Sequence, residues 1–139
     1  MFVMKFVVIA LIASAILMLV YVRLAPSDPL RWHVDPNVTD NEDMLGGVKR
    51  LVDGDAATLN RLDQIIRGTP RTDVLAGSVA SDRITYVTRS RVVGFPDYAT
   101  VALNDGQIKV YSRLRFGSSD LGVNKTRVEG WLQALRQGG

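Results

Sequence analysis

From Phe6 to Val22 the chain carries no charged residue: FVVIALIASAILMLVYV, 17 residues in a row. As an α-helix at about 1.5 Å per residue the run spans roughly 26 Å, just short of a ~30 Å hydrocarbon core. Phe2 to Met4 extend it, because Lys5 can snorkel to the interface. Arg23 closes the other end, and Tyr21 sits where an interfacial aromatic belongs. A core helix in so small a domain would be amphipathic, whereas this run is apolar on every face. Residues 1–24 are therefore expected to be a transmembrane signal anchor. Ala13-Ser14-Ala15 has the small-residue pattern of a cleavage site, but Ile16-Leu17-Met18-Leu19-Val20 continues the apolar run beyond it, so an uncleaved anchor is expected. Lys5 and the α-amine face one side, Arg23 and Arg31 the other, and the positive-inside count is close to a tie. The five-residue N-terminal tail resembles that of a signal anchor, which leaves the body outside the cytoplasm.

The remaining length holds one domain. Hydrophobic residues make up 47% and charged residues 22%, which excludes a fully disordered chain. Cysteine is absent, so disulfides, thiolate metal sites and cysteine nucleophiles are excluded, and a single histidine excludes a His-rich metal centre. No cofactor is expected. Residues 25–54 read as a Pro-rich, acidic connector, with Pro26, Pro29 and Pro36 keeping it extended. In it His33 beside Trp32 is expected to pack or hydrogen-bond rather than ligate metal. Val48 to Val52 reads as a short edge strand.

Residues 55–139 form the globular body. Asp55 is an N-cap, followed by Leu59, Leu62, Ile65 and Ile66 at helical spacing and ended by Gly68 and Pro70. Strand candidates are Val74–Val79, Arg83–Val93, Tyr98–Leu103 and Ile108–Phe116. A type I′ Asp105-Gly106 turn sets Asn104 opposite Gln107. That register places Ala99, Val101 and Leu103 on one face with Ile108, Val110, Ser112 and Leu114. Tyr98, Thr100, Ala102 and Asn104 then share the other face with Gln107, Lys109, Tyr111, Arg113 and Arg115, and a one-residue slip would destroy the separation. A last helix starts with Asn124 as N-cap and a Val123–Val128 staple, with Val128, Trp131, Leu132 and Leu135 as its stripe. The expected class is α+β: an N-terminal transmembrane helix, then a small antiparallel sheet covered on one face by two helices.

Ser90-Arg91-Val92-Val93-Gly94-Phe95-Pro96-Asp97 echoes Ser112-Arg113-Leu114-Arg115-Phe116-Gly117-Ser118-Ser119-Asp120: each is a strand that leaves through a glycine turn to an aspartate. Together with Arg89-Ser90-Arg91, the run Tyr111 to Asn124, Arg127 and Trp131-Leu132, these residues resemble domain of unknown function (DUF) family 1499 of bacteria. The resemblance covers about Trp32 to Leu135. It implies a compact, envelope-associated domain, no established activity, and a periplasmic body. The chain departs from the family in lacking the cysteine that many members carry early in the domain, which argues against thiol chemistry or lipidation.

Charge is polarised along the chain. Residues 88–127 hold seven basic and three acidic side chains, residues 25–70 five basic and eight acidic. Arg89, Arg91, Arg113, Arg115, Lys125 and Arg127 form a candidate site for an anionic partner or lipid headgroup, since the arginine fork suits phosphate and carboxylate. Internal pairing is the other reading, with Gly94 and Gly117 as turns, Asn124 as a cap, and Asp97 and Asp120 binding arginines of the neighbouring strand. Those arginines would keep both carboxylates ionised. No recognition helix carries the charge, so nucleic acid is not expected as a partner. No catalytic residue is assigned: a serine nucleophile at Ser112, Ser118 or Ser119 needs a base, and His33 lies far off in sequence. The Asn37 and Asn124 sequons are read as chance. The expected function is a non-enzymatic membrane module with an arginine-rich anion-binding face. The alternative is an accessory subunit of a larger inner-membrane protein complex, contacted through Ala10 and Ser14 at small-xxx-small spacing. A hydrolase is a weaker alternative.

Overall fold

A computed structural model describes residues 1–138. Gly139, the last residue of the body expected over 55–139, lies outside the described residues. Helix α1 (Phe2–Leu24) is continuous, long and apolar enough to cross a membrane, and bare of packing along its apolar length. Only its end is covered: Val22 is 2% exposed and Ala25, just beyond, 4%. A single turn, α2 (Pro29–Trp32), follows, with Pro29 at its first position and the Asp28 carboxylate accepting the Leu30 amide at 3.0 Å.

The body comprises β1 (Glu42–Met44), β2 (Gly47–Asp53), α3 (Ala56–Arg67), β3 (Thr72–Ser78), β4 (Arg83–Arg89), β5 (Pro96–Asn104), β6 (Gln107–Leu114) and α4 (Val123–Gln137). The strands form one antiparallel sheet in the order β1-β2-β6-β5-β4-β3. The class is α+β, and α3 and α4 cover one face. Leu59, Leu62 and Ile66 from α3 and Val128, Trp131, Leu132 and Leu135 from α4 pack on Val48, Ile84, Tyr86, Val101, Ile108 and Val110. Each such side chain contributes about 1.5–3 kcal/mol by leaving water. Asp55 caps α3 through a reciprocal box with Thr58. The Tyr86 hydroxyl donates to Asp63 at 2.6 Å beneath α3, and Arg67 holds the same carboxylate.

The β5–β6 register pairs Asn104 with Gln107, Val101 with Val110 and Ala99 with Ser112, as the turn chemistry requires. Three local expectations are corrected. The stretch 25–54, expected as a connector, contains β1 and β2, and β2 is no edge strand: it pairs with β6 on one side and β1 on the other. The strand expected to reach Val93 stops at Arg89, because Ser90 Oγ accepts the amides of Gly94 and Phe95 and folds the chain into a loop. Asn124 is not the cap of α4. Gly122 occupies that position at φ 80°, and the Asp120 carboxylate accepts the amides of Gly122 and Asn124. Val123 is consequently helical and half exposed rather than a staple.

The antiparallel register sorts the loops into two ends. Leu45–Gly46, Pro70–Arg71, Ser90–Phe95 and Arg115–Gly122 share one end with the C-terminus of α1, which the Arg89 side chain reaches. Gly54–Asp55, Val79–Asp82 and Asp105–Gly106 share the other.

Candidate functional site

The basic face of the sheet is not open to solvent. Residues 22–33 lie across it, and its arginines hold their backbone. Arg113 Nη2 donates to the Trp32 carbonyl at 2.8 Å, and Nη1 to Thr100 Oγ1 at 3.0 Å and the Tyr111 carbonyl at 3.1 Å. Its guanidinium lies 4.8 Å from the Tyr111 ring and 5.4 Å from the Trp32 ring, and Trp32 in turn stacks on Tyr98 with centroids 4.0 Å apart. Cation–π contact and carbonyl dipoles offset the cost of burying this charge. Burial pushes the Arg113 guanidinium down to about 10, which leaves it protonated at neutral pH. Arg113 therefore grips the chain's own backbone and is no open anion site.

Two more arginines do the same nearer α1. Arg115 Nη1 donates to the Pro26 carbonyl at 2.8 Å and to Tyr98 Oη at 3.0 Å, and Ser27 Oγ shares that hydroxyl at 2.7 Å. Arg89 Nη1 donates to the Gly94 carbonyl at 2.9 Å and to the Val22 carbonyl, in the last turn of α1, at 3.3 Å. Carbonyls at a helix C-terminus lack intrahelical partners and carry the negative end of the dipole, so a cation there is favoured. Gly94, at φ 82°, admits Arg23: a Cβ would stand 3.0 Å from Arg23 Nε. Tyr21 meets Phe116 edge to face at 6.1 Å. The far end of the covering segment is held by His33, whose Nδ1 bonds Thr85 Oγ1 at 2.9 Å, and Thr85 bonds Thr100 at 2.9 Å. Gly77 makes room for it, since a Cβ there would come within 2.7 Å of His33 Cε1.

The carboxylates sit on the opposite, helical face. Asp97 faces α4 and pairs with Arg127 at 3.3 Å, not with a strand arginine. Asp120 receives Asn124 Nδ2 at 2.7 Å, while Asn124 Oδ1 accepts from Ser112 and from Arg127 at 3.1 Å. Parity explains the separation: Asp97 stands opposite Leu114, so it points away from the face that carries Arg113. Burial pushes the Asp97 carboxyl above its ordinary value, against the opposing charge of Arg127. Lys125 pairs with Asp43 at 2.6 Å across to β1. Gly117, at φ 95°, turns the second echoed loop, where Ser118 and Ser119 are exposed. Ser112 is buried against Asn124, and His33 bonds Thr85 rather than a serine.

Of the six basic residues singled out in the sequence, Arg91 alone is both exposed and without a hydrogen-bond or salt-bridge partner among the described residues. It lines an open cleft of about 390 Å³ with Arg23, Arg71, Asp73, Arg89, Ser90 and Gly94, beside the end of α1. Four guanidinium groups face one carboxylate there. Arg23 and Arg71 were missing from the sequence-derived set, because one belongs to the anchor and the other to a loop far from the 88–127 cluster. The Gly94 echo was the only sequence signal near them. Ala10 and Ser14 lie exposed on the bare length of α1.

A family model described as "Protein of unknown function (DUF1499)" matches residues 25–135. The match takes in the covering segment as well as the sheet and both helices. No curated protein matches the chain.

Two outcomes follow from this geometry. Arg113→Gln should lower the unfolding free energy of the full chain in detergent by about 2 kcal/mol, because hydrogen bonds from a charged donor contribute about 1.5–3 kcal/mol. Arg91→Gln, at the surface, should stay within about 0.5 kcal/mol. Equal stability of the Arg113→Gln and parent chains in denaturant titration would contradict the grip. His33 is held below its ordinary value by burial and then by the Arg83 charge. The unfolded chain therefore takes the imidazole proton first as pH falls below about 6.5, and stability that neutral His33 contributes above that pH is lost on the acid side. The melting temperature should fall more steeply below about pH 6.5 in the parent chain than in His33→Gln.

Proposed function

The chain belongs to the DUF1499 family of proteins of unknown function, and from that premise we propose a single-pass, membrane-anchored, non-enzymatic module that holds an anionic headgroup or acidic partner group at the cleft where Arg23, Arg71 and Arg91 are exposed. Its anchor is α1, in the inner membrane, and its body is periplasmic. The observation that carries the reading is the excess of guanidinium over carboxylate in one open cleft at the end of α1. Arginine forks match phosphate oxygens in pairs, and the cleft lies where an apolar helix would meet lipid headgroups. The non-enzymatic reading is supported by the polar partners of His33 and Ser112, which tie both into the fold.

A second reading, an accessory subunit of a larger membrane complex, is supported by the bare length of α1, where Ala10 and Ser14 would allow close approach of a partner helix. Mild detergent extraction with native sizing separates the two, a large stoichiometric assembly favouring the subunit.

For the leading reading, the purified full chain is mixed with phosphatidylglycerol or phosphatidylcholine, and retained lipid is counted by native mass spectrometry. Phosphatidylglycerol should be retained preferentially, less so as salt is raised, and several-fold less by the double variant Arg71→Gln with Arg91→Gln. Equal retention of both lipids, or no loss in the variant, would refute it.

A further inference from the structure

The sheet end that holds α1 also exposes large apolar side chains that the fold does not use. Val92 is 83% exposed at the tip of the Ser90–Phe95 loop, and Leu121 is 93% exposed in the second echoed loop. Leu45 is 78% exposed, and its carbonyl accepts the Asp120 amide, so the β1–β2 turn sits against that second loop. Phe95 is partly exposed, and its ring lies 6.5 Å from Phe116, which touches Tyr21 in the last turns of α1. An aromatic row thus runs from α1 to the loop tips. Isolated exposed apolar residues need no explanation, but these cluster at one end of the domain, around α1, the one element among the described residues that carries a membrane-length apolar run.

Charge divides the domain the same way. The α1 end presents Arg23, Arg71 and Arg91, all exposed, whereas the loops of the opposite end present exposed Asp55, Asp82 and Asp105. A body so polarised turns its basic end toward an anionic bilayer and its acidic end away. Position agrees with charge. The carbonyls of Val22, Pro26 and Trp32 are bonded to three sheet arginines, so the loops cannot swing far from the point where α1 leaves the domain.

We infer that the loop end of the domain is a membrane-seating surface, in which Val92, Phe95, Leu121 and Leu45 enter the interfacial layer of the bilayer that α1 crosses. The inference rests on the membrane-anchor reading of α1. It adds that the body lies on the membrane by its loops instead of standing off on a tether. Apolar and aromatic side chains flanked by arginine suit that layer, where rings and aliphatic tips leave water while guanidinium groups stay among phosphates.

The natural absence of cysteine makes single-site labelling clean. The full chain is reconstituted in vesicles containing phosphatidylglycerol, with a nitroxide placed through Val92→Cys, Leu121→Cys, Ala80→Cys or Ile12→Cys. Spin-relaxation accessibility to oxygen and to an aqueous nickel chelate is then compared. The substituted loop side chains are exposed, so the fold tolerates the labels. Labels at positions 92 and 121 should be several-fold less accessible to the chelate than the label at position 80, with oxygen accessibility raised toward that at position 12. If position 12 is deep in lipid while 92 and 121 match 80, the seating surface is overturned and the anchor stands. If position 12 is as exposed to the chelate as 80, the anchor reading fails and takes the seating surface with it.

Discussion

One side chain, Arg113, joins the two halves of this structure. It rises from the loop end of the inner strand β6 on the face that α3 and α4 leave uncovered, lies against the rings of Tyr111 and Trp32, and donates to the carbonyl of Trp32. Without that grip the face would expose Thr85, Tyr98 and Thr100, all of which are fully buried. Trp32 could not stack on Tyr98, and the segment leading from α1 would have no reason to lie flat. A buried guanidinium is costly unless its donors are satisfied. Here backbone carbonyls and aromatic faces satisfy them, so the charge holds the cover instead of opposing it.

Arg89 and Arg115 extend the same device toward α1. Each donates to a main-chain carbonyl near the point where helix becomes domain; Arg115 lies within the second echoed run, and Arg89 stands immediately before the first. The echo therefore has a physical meaning: the ends of β4 and β6, which flank β5, each bring an arginine and a glycine-containing loop to the base of the helix. The domain is held at the end of its anchor by several short contacts, with the covering segment as part of the fold. Membership of residues 25–135 in one family match agrees with that unity.

What the sequence made legible was local. Asp55 as a cap, the Asp105-Gly106 turn, the two-faced hairpin and the Val128–Leu135 stripe all depend on chemistry within a few residues, and all appear in the structure. The cover was not legible. Its bonds run from side chains in the sheet to carbonyls, and every residue owns a carbonyl, so no pattern marks Val22, Pro26 or Trp32 as acceptors. Proline suggested an extended tether and could not say that it is laid down on a surface. The partner of Asp97 was within reach. The parity that separated the hairpin faces also puts Asp97 opposite Leu114, on the helical side, where only α4 could meet it. Asn124 misled because its type suits a cap, whereas Asp120 caps the helix and frees Asn124 for Ser112.

A domain gripped in this way has a fixed direction relative to its helix, and that rigidity is what any action at the membrane surface would exploit. The most direct measurement is the distance distribution between spin labels placed through Ile16→Cys and Ala80→Cys in the full chain in a bilayer, read by pulsed dipolar spectroscopy. A gripped domain gives one narrow distribution, which broadens when Arg89 and Arg113 are both changed to glutamine. A broad distribution in the parent chain, indistinguishable from that of the variant, would show that the segment from Ala25 to His33 is a free tether and that the arginines do not hold it.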